Sequence, residues 1–557
     1  MNAKRVAILL LIFSLIVTVI LPGCGKKQEQ KSVETTEQEA TKDSSGAAPE
    51  REIIGNMYKT GLPIVKDKIT LKIASFTGEF HKDKFEGIEM VKRWEDETNI
   101  HIEWDTVPSA SWQERKNLII ASGDLPDCIV GNIALTDDEV QSYGEKGISI
   151  PLEKLIDEWA PNLKAILQQH PEYKQIITTL DGHIYAFPAL ADIDFGSRGS
   201  VLHMNKKWLE EIGISRPIIK GKYVEIWQEP ITTEEFYQIL KKFKENHPKC
   251  YPFSFPKNQL YDMFASFGLQ DNGDHIILEN DKVVFTADKQ EYKEAVKYFH
   301  TLYKEELMDP EVFTHEYNVF LSKMKQDPYI FGAVKVWTAQ QAYELSDPRF
   351  KDWILIPPLK GPNGNIEWPK SSKWMARGFA IITSANKYPE ISTRFFDYFY
   401  SERNSVDIMI GPLGHAAKEN PDGTYEMIPV PEGKTWGEWV GSKNPGNMPF
   451  ITTPEINKRV KWAPEVAMTI EVGEFYKPYQ KYKSYPNIMF RAEDKQKIAD
   501  IKANMHEYIN AKTAEWIVKG NIEKEWNDYI EELNKMGLKE FIKIYQDSYD
   551  MIKEALQ

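Results

Sequence analysis

The stretch from residue 68 to residue 133 opens KITLKIAS and closes PDCIVGNI, and it decides the fold class of this chain. Apolar residues alternate along two of its segments, and this period of two predicts the strands 69–75 and 100–107, while the short apolar run 128–130 predicts a third, buried strand. Between them, apolar residues recur every three or four positions, which predicts the helices 85–94 and 112–120. The β-α-β-α-β order, in units of about 30 residues, indicates parallel strands and a doubly wound α/β fold.

Ligands of a doubly wound sheet bind outside the carboxyl ends of its strands. In the opening stretch these ends fall in three short segments, 75–79, 106–109 and 131–133. Phe76 and Glu79 follow the first strand, and Asn132 follows the third. We therefore predict that these three side chains line a ligand-binding cleft.

The rest of the chain continues the mixture of helices and strands. Thr232 and Thr233, followed by acidic residues, form a capping signal that predicts a helix over 232–243. Apolar residues at helical spacing predict further helices over 292–306, 389–401 and 526–549. The apolar run 379–383 predicts a buried strand. Residues 411–450 are rich in Gly and Pro, which is typical of an extended loop system.

The N-terminus carries an export signal. A cationic head with Lys4 and Arg5 precedes an apolar stretch that ends in the run Leu21-Pro22-Gly23-Cys24. This run resembles a bacterial lipoprotein lipobox, which implies that the Cys24 thiol receives a diacylglyceryl group and becomes the mature N-terminus. The alternative is an uncleaved membrane-spanning anchor, although such a span needs about 20 apolar residues. Both interpretations place the body of the chain outside the cytoplasm.

A polar segment follows the export signal. Residues 25–50 contain one large apolar side chain, Val33, so they cannot bury enough surface to fold. We expect three parts along the chain: a signal peptide over 1–23, the lipidated cysteine and a flexible tether over 24–67, and a folded body over 68–557.

Charge and cysteine content narrow the function. The net charge of -14 argues against nucleic acid and anionic lipid as partners, because both need a basic face. Of three cysteines, Cys128 lies in an apolar run that suits a buried position, and Cys250 lies in a Pro-rich stretch. The sequence leaves open whether these two cysteines form a disulfide. No Cys/His cluster suggests a metal, and we expect neither a metal nor another cofactor.

Several stretches form a pattern by their order and spacing. They are Trp94 with Thr98-Asn99-Ile100, Ala121-Ser122-Gly123-Asp124-Leu125-Pro126-Asp127, Asp181-Gly182-His183-Ile184-Tyr185-Ala186-Phe187-Pro188, the helix start at 230–236, Pro357-Pro358-Leu359-Lys360-Gly361-Pro362, and the tail from Gly520 to Asp550. Together they resemble the extracellular solute-binding proteins of ABC importers, specifically the long family 1 lipoproteins that bind oligosaccharides.

The resemblance implies a type II periplasmic-binding-protein-like fold, in which two doubly wound α/β lobes are joined by crossing segments. Lobe 1 would take about 68–190 and 370–450, and lobe 2 about 191–369 and 451–557. Ligand in the cleft would favour the closed arrangement of the lobes. Some family members have a calcium loop after the helix that corresponds to 232–243. Here Lys244–Cys250 lacks the alternating acids, so we expect no calcium site there.

The resemblance also implies partners and a location. The ligand would be a carbohydrate, in the first place an oligosaccharide, and ABC permease subunits in the membrane would receive it. The protein would be a monomer on the extracytoplasmic face of the cell membrane, held by its diacylglyceryl-cysteine, with no nucleic acid partner.

Aromatic and planar polar side chains are the groups that bind sugar rings and hydroxyl pairs. Aromatic residues make up 12% of the chain, which exceeds what a core alone suggests. Beyond the three strand-end residues, we predict six cleft residues, namely Tyr185, Phe187, Trp337, Trp374, Arg377 and Trp436. The alternative for Trp374 and Arg377 is a solvated position on the surface. For Trp337 it is the core, for Tyr185 and Phe187 it is packing at a hinge, and for Trp436 it is burial within its Gly-rich loop.

Two other functions stay open. A peptide is the alternative ligand, because similar clefts bind peptides with the same residue types. A membrane-anchored carbohydrate-active enzyme would need two carboxylates across a sugar, and 83 acidic residues make such pairs uninformative. No GxSxG, HExxH or Walker motif is present. We therefore predict a binding protein and not an enzyme.

Overall fold

The computed structural model describes most of the chain after residue 50. The described residues are 51–78, 85–132, 134–193, 199–257, 259–271, 273–370, 375–431, 436–481 and 483–555, with Trp436, Gly437, Lys483, Ala492 and Ala555 described by their backbone only.

Residues 51–67 form a strap that packs against the following domain. The strap contains an antiparallel hairpin of two strands, β1 (Ile53–Ile54) and β2 (Met57–Tyr58). Met57, Ile64 and Val65 are buried, and the Ile64 N–H donates to the carbonyl of Thr98 at 2.9 Å. The expectation of a flexible tether up to residue 67 is therefore wrong for the strap, because these three side chains supply the buried surface that residues 25–50 lack.

Lobe 1 is built on a six-stranded sheet. Its strands are β3 (Ile69–Thr77), β4 (Ile100–Pro108), β5 (Cys128–Val130), β6 (Phe187–Ala191), β15 (Ala376–Ile382) and β18 (Ile451–Thr452), in the order β18-β6-β15-β5-β3-β4. Strand β3 pairs in parallel with both β4 and β5, with Ile69 opposite Ile100 and Ile73 opposite Cys128. The parallel strands predicted from the opening stretch are confirmed.

Helices cover both faces of this sheet. They are α1 (Glu89–Thr98), α2 (Trp112–Ser122), α3 (Asp137–Glu145), α4 (Glu153–Trp159), α5 (Pro161–Gln169), α6 (Pro171–Ile177), α11 (Pro389–Phe399), α12 (Glu402–Ile410) and α13 (Trp436–Gly441). Ile73 and Cys128 share one hydrophobic cluster with α1 and α11, whereas Ala74 and Ile129 share another with α2 and α3. Alternation along the strands thus supplies one apolar face to each helical layer.

A small sheet completes lobe 1. It consists of β16 (Ala417–Glu419), β17 (Tyr425–Met427) and β19 (Val460–Lys461), with the short helix α14 (Pro454–Asn457) beside it. Strand β18 pairs with β6, and β19 pairs with β17. Lobe 1 therefore extends to about residue 462, beyond the boundary near residue 450 expected from the sequence.

Lobe 2 has a second six-stranded sheet. Its strands are β7 (Val201–Asn205), β8 (Ile218–Lys220), β9 (Glu225–Trp227), β10 (Tyr251–Ser254), β13 (Phe331–Val336) and β14 (Trp353–Leu355), in the order β10-β13-β7-β14-β9-β8. A three-stranded sheet lies beside it, formed by β11 (Ile276–Glu279), β12 (Lys282–Phe285) and β20 (Lys483–Ser484).

The helices of lobe 2 include the long C-terminal set. They are α7 (Lys206–Glu211), α8 (Thr233–Asn246), α9 (Gln290–Lys304), α10 (Tyr317–Met324), α15 (Pro464–Tyr476), α16 (Ala492–Lys519), α17 (Ile522–Lys535) and α18 (Leu538–Ala555). A capping box between Thr232 and Glu235 begins α8, as its sequence predicts. In the described part of the chain, no helix is long and apolar enough to cross a membrane.

Three segments connect the lobes. They run from β6 to β7, from β14 to β15, and from β19 to α15. The second segment contacts the chain that precedes α16, since the Trp368 N–H donates to the carbonyl of Tyr479 at 3.0 Å. The predicted two-lobed α/β fold with crossing segments is confirmed.

Candidate functional site

The crossing segments locate the cleft. In lobe 1, β6 runs parallel to β5 and leaves toward lobe 2 at its carboxyl end, and β15 begins at the same edge. In lobe 2, β14 runs antiparallel to β7 and parallel to β13, so the chain leaves at the carboxyl end of β14 and arrives at the start of β7 on that edge. The carboxyl edges of both sheets therefore meet the crossing segments, and the space between these edges is the place where such folds bind ligands.

An aromatic pair lies at the lobe 1 side of the cleft. Phe76 near the end of β3 and Trp112 at the start of α2 have ring centroids 5.6 Å apart. Phe76 is half-buried, and its ring packs on Gly131, where a Cβ would come within 2.8 Å of Phe76 Cε1. Trp112 is buried, and its Nε1 donates to the carbonyl of Ala134 at 2.9 Å. This pair supplies a rigid apolar surface of the kind on which sugar rings pack.

Asn447 holds the end of β3 in place. Its Nδ2 donates to the carbonyl of Phe76 at 2.5 Å and to Ser75 Oγ at 3.2 Å. Asn132 is half-buried and lies two residues after the end of β5. Phe76 and Asn132 thus occupy the strand ends at which the sequence placed them, and their contact with a ligand stays a prediction.

Polar side chains collect at the lobe 2 side of the cleft. Lys335 is the last residue but one of β13. Its side chain is fully buried, and its Nζ donates to Asp262 Oδ2 at 2.5 Å. Asp262 lies in a short 3-10 helix that follows β10, the strand parallel to β13. Just before β7, Ser200 Oγ donates to Gln259 Oε1 at 2.5 Å. These groups offer hydrogen-bond acceptors and donors in fixed positions.

Lys335 and Asp262 form a largely buried ion pair at the cleft. A buried ammonium needs a carboxylate partner, because an unpaired charge in the interior is very costly. Burial raises the pKa of the Asp262 carboxyl, whereas the Lys335 ammonium lowers it, and burial prevails. The Asp262 side chain keeps 20% of its surface exposed, so one edge of the carboxyl can accept hydrogen bonds from a ligand.

Two tryptophans lie near Lys335, one close in the sequence and one close in space. Trp337 directly follows β13 and is half-buried, so it remains a candidate cleft residue. Trp368, in the second crossing segment, is fully buried, and its ring centroid is 6.0 Å from Lys335 Nζ. Trp368 thus supports the lysine from the side of the hinge.

Two predicted cleft residues belong to the core. Phe187 is fully buried and packs on Phe396, with ring centroids 4.9 Å apart. Tyr185 is also buried, and its hydroxyl donates to Asp181 Oδ2 at 2.7 Å. Burial and this carboxylate both raise the pKa of Tyr185. Neither ring is open to a ligand, so the prediction is wrong for both. Helix α11 covers Phe187, and the Tyr185 ring packs on Gly144 of α3, contacts that the local sequence pattern does not reveal.

Arg377 binds the protein itself. Its side chain is 3% exposed and donates to the carboxylate of Asp137 in α3 and to the carbonyl of Ile176 at 3.2 Å. It also donates to the carbonyl of Asn487, in the segment between β20 and α16. The predicted ligand contact is therefore corrected: Arg377 joins lobe 1 to a segment of lobe 2 at the hinge.

Some predicted residues lie outside the described part of the chain. They are the lipidation site Cys24 and the cleft candidates Glu79 and Trp374. Trp436 begins α13, but its side chain is not among those described.

A cavity of about 360 Å³ lies at the strap, away from the cleft. Its lining includes Gly61 of the strap, Glu97 of α1, and Arg394 and Tyr398 of α11. The strap contacts Thr98 at the amino end of β4, whereas the crossing segments meet the carboxyl ends. We therefore assign the binding site to the cleft and not to this cavity.

One cluster of metal-type ligands is present among the described residues. Ligand atoms of Asp309, Glu311 and His315 lie within 4.8 Å of one another. Lys323 Nζ already lies 2.8 Å from Asp309 Oδ2 and 2.7 Å from Glu311 Oε2. This ammonium supplies the positive charge that the two carboxylates need, which gives the cluster a structural role.

The segment after α8 also has a local structural role. The His247 ring stacks on Trp208 with centroids 3.8 Å apart, and its Nε2 lies 2.6 Å from Glu211 Oε2. The absence of a calcium site at Lys244–Cys250 stays a prediction. The disulfide left open by the sequence is not formed, since Cys128 and Cys250 are both free.

The sequence reasoning missed Lys335, Asp262, Trp112 and Asn447. A signal for Lys335 was available, because one lysine interrupts the apolar run FGAVKVW at 331–337. A charge inside a buried strand indicates a fixed partner and often a functional site. Asp262 lies in a 3-10 helix and Asn447 in a loop, and tertiary structure alone brings them to the strand ends.

Two α/β lobes with a cleft between their carboxyl edges define a protein that encloses a solute. The chain belongs to the family of bacterial extracellular solute-binding proteins, whose family model matches residues 87–406. The predicted family is thereby confirmed.

Individual relatives agree with this assignment. The chain is 33% identical over 511 residues to the fructooligosaccharide ABC transporter substrate-binding protein FusA of Streptococcus pneumoniae serotype 4, covering 87% of this chain and 91% of FusA. It is 24% identical over 331 residues to lipoprotein LipO of Bacillus subtilis, covering 55% and 58%.

Solved structures share the fold. The structure of FusA in complex with kestose has a TM-score of 0.63 and 32% identity, and covers 87% of this chain and 99% of that one. A solute-binding protein from Bifidobacterium longum infantis, described as HMO-binding, reaches a TM-score of 0.70 at 20% identity with the same coverage, which supports the fold alone. These relatives are solute-binding proteins rather than enzymes.

Proposed function

We propose that this protein captures a fructo-oligosaccharide between its two lobes outside the cytoplasm and delivers it to an ABC permease. It acts as a monomer, without a cofactor and without catalysis, and Cys24 carries the lipid anchor. A peptide-binding protein and a carbohydrate-active enzyme remain the alternatives that the experiments below distinguish.

One observation carries the choice of ligand. FusA is named as a fructooligosaccharide-binding protein, and its similarity to this chain extends over nine-tenths of FusA, including both lobes. The cleft offers matching chemistry. Phe76 supplies a flat apolar surface on lobe 1, and Asp262 and Gln259 supply hydrogen-bonding groups on lobe 2.

Ligand capture follows from the fact that the ligand-binding groups lie on both lobes. An open arrangement lets a sugar reach either wall, and only a closed arrangement lets it contact both. A ligand that contacts both walls therefore favours closure by its additional contacts in that state. Delivery would then require the permease to favour the open arrangement.

Isothermal titration calorimetry with kestose tests the proposal. We expect one binding site per chain and a loss of about tenfold in affinity for Phe76→Ala, since a contact residue of this size contributes roughly 1–2 kcal/mol. Tyr388→Ala is the matched control, because this aromatic side chain is 42% exposed at the start of α11, on the outside of lobe 1. Binding of a peptide panel without binding of any oligosaccharide would contradict the proposal, and cleavage of kestose would indicate an enzyme.

The anchor is tested separately. Cys24→Ala in the full chain is expected to release the protein from the membrane fraction or to leave it unprocessed, because diacylglyceryl attachment needs the thiol. Membrane retention of a product of mature size would contradict lipidation at Cys24.

A further inference from the structure

Among the described residues near the cleft, the buried cations Lys335, Lys116 and Arg377 are each paired with a carboxylate of the protein. We propose that the cleft selects neutral oligosaccharides and rejects acidic ones, and that Asp262 is the residue that decides this selection. The inference rests on the proposed function, since it concerns which oligosaccharides enter the cleft.

On lobe 2, the Lys335 ammonium is not available to pair with an acidic ligand. Its side chain is fully buried, its Nζ lies 2.5 Å from Asp262 Oδ2, and the ring of Trp368 covers it. An acidic sugar that paired with Lys335 would have to displace Asp262. The displaced carboxylate would then lose its charge partner in a site that is four-fifths buried.

Asp262 itself opposes an acidic ligand. Its exposed edge accepts hydrogen bonds from hydroxyl groups but meets a second carboxylate with like charge. Lys335 holds the Asp262 carboxyl in one orientation by their hydrogen bond, so hydroxyl groups meet a fixed acceptor. A neutral sugar therefore gains a charge-assisted hydrogen bond at the position where an acidic sugar is repelled.

On lobe 1 and at the hinge, two further cations are likewise paired with carboxylates of the protein. Lys116 lies behind Trp112, is 1% exposed, and donates to Glu139 Oε2 at 2.6 Å and to the carbonyl of Ala134 at 2.9 Å. Arg377 is bound to Asp137 and to two backbone carbonyls. Among the described residues around the cleft, these interactions pair Lys335, Lys116 and Arg377 within the protein.

The test compares a neutral and an acidic probe of equal length. Calorimetric titration uses kestose and tri-galacturonate with the wild-type protein and with Asp262→Asn. The wild type is expected to bind tri-galacturonate at least about 100-fold more weakly than kestose, because juxtaposed like charges cost several kcal/mol. Asp262→Asn is expected to lose about tenfold in affinity for kestose, as a charge-assisted hydrogen bond becomes a neutral one, and to gain at least about tenfold for tri-galacturonate, as Lys335 becomes available.

A double variant and a control variant separate the effect of charge at the cleft from an effect on folding. Asp262→Asn leaves a buried ammonium without a partner and can reduce folding, so the double variant Asp262→Asn with Lys335→Met removes both charges. It is expected to bind kestose as weakly as the single variant and to show no gain for tri-galacturonate. Asp407→Asn is the matched control, since this buried carboxylate pairs with Arg93 among the outer helices of lobe 1, and it is expected to change neither affinity.

The outcomes separate this inference from the proposed function. If the wild type binds no neutral oligosaccharide at all, the proposed function fails. If it binds kestose and tri-galacturonate with similar affinity, or if Asp262→Asn changes neither affinity, the inference fails while the proposed function stands.

Discussion

Replacing Arg377 by Met distinguishes a hinge residue from a ligand-binding residue. The side chain is 3% exposed and donates to the carbonyls of Ile176 and Asn487 and to the carboxylate of Asp137. Methionine has a similar length but no donor, so the buried carbonyl of Ile176 and the half-buried carbonyl of Asn487 each lose a hydrogen-bond partner. Each such loss costs roughly 1–3 kcal/mol.

The third contact adds less. The Asp137 side chain is 41% exposed, so water can solvate its carboxylate after the arginine is gone. We therefore expect Arg377→Met to reduce the free energy of unfolding by about 3 kcal/mol, and to change the Kd for kestose by less than about tenfold.

Urea denaturation followed by tryptophan fluorescence measures the first quantity, and calorimetric titration with kestose measures the second. Arg403→Met is the matched control, because Arg403 is exposed at the start of α12 and its removal should alter stability by no more than about 0.5 kcal/mol. Loss of kestose binding with an unchanged free energy of unfolding would refute the reasoning and restore Arg377 as a ligand contact.

Three further predictions concern pH and the strap. Burial, with His275 and Lys502 nearby, lowers the pKa of His506 from 6.5 to about 3, so the contribution of His506 to stability is complete above pH 6.5 and falls by about 1.4 kcal/mol per pH unit below it. In pH-dependent urea denaturation, His506→Gln should remove this slope, and an equal slope in both proteins would contradict the prediction. Burial raises the pKa of Asp397 from 3.8 to about 6, so stability is lost as pH rises through this range; the difference in unfolding free energy between wild type and Asp397→Asn should change by about 3 kcal/mol between pH 3.5 and pH 7, and a constant difference would count against it. Arg394 donates to the carbonyls of Tyr58 and Gly61, so Arg394→Ala should speed hydrogen exchange of the strap amides at least about tenfold, and unchanged protection would show that the strap is held by other contacts.

The sequence was sufficient for the opening β-α-β-α-β unit of lobe 1. Alternating apolar residues such as Ile69, Leu71 and Ile73 report a strand because successive side chains point to opposite faces. The capping box at Thr232 likewise predicts the start of α8 from local chemistry alone. These features depend on residues close in sequence, so one chain is enough to find them.

The binding site depended on contacts between distant residues. Phe187 and Phe76 are both aromatic residues at strand positions, but helix α11 covers Phe187, and Phe76 stays at the open edge. Arg377 and Lys335 are both cations in apolar strands, and only the folded chain shows that Asp137 and Asp262 bind them. Composition identifies the residue types of a sugar site, whereas tertiary structure decides which of them face the ligand.

The strap was missed for a related reason. Met57, Ile64 and Val65 are too few and too widely spaced to show a period, so their segment resembles the polar residues before it. Their burial comes from packing on lobe 1 and not from a regular element of their own.

A crystal structure of the protein with kestose tests the central claim most directly. We predict that the sugar lies between the carboxyl edges of the two sheets, with Phe76 within contact distance on one side and Asp262 Oδ1 or Oδ2 hydrogen-bonded to a hydroxyl on the other. A sugar bound to one lobe only, or in the cavity beside the strap, would contradict the assignment of the cleft.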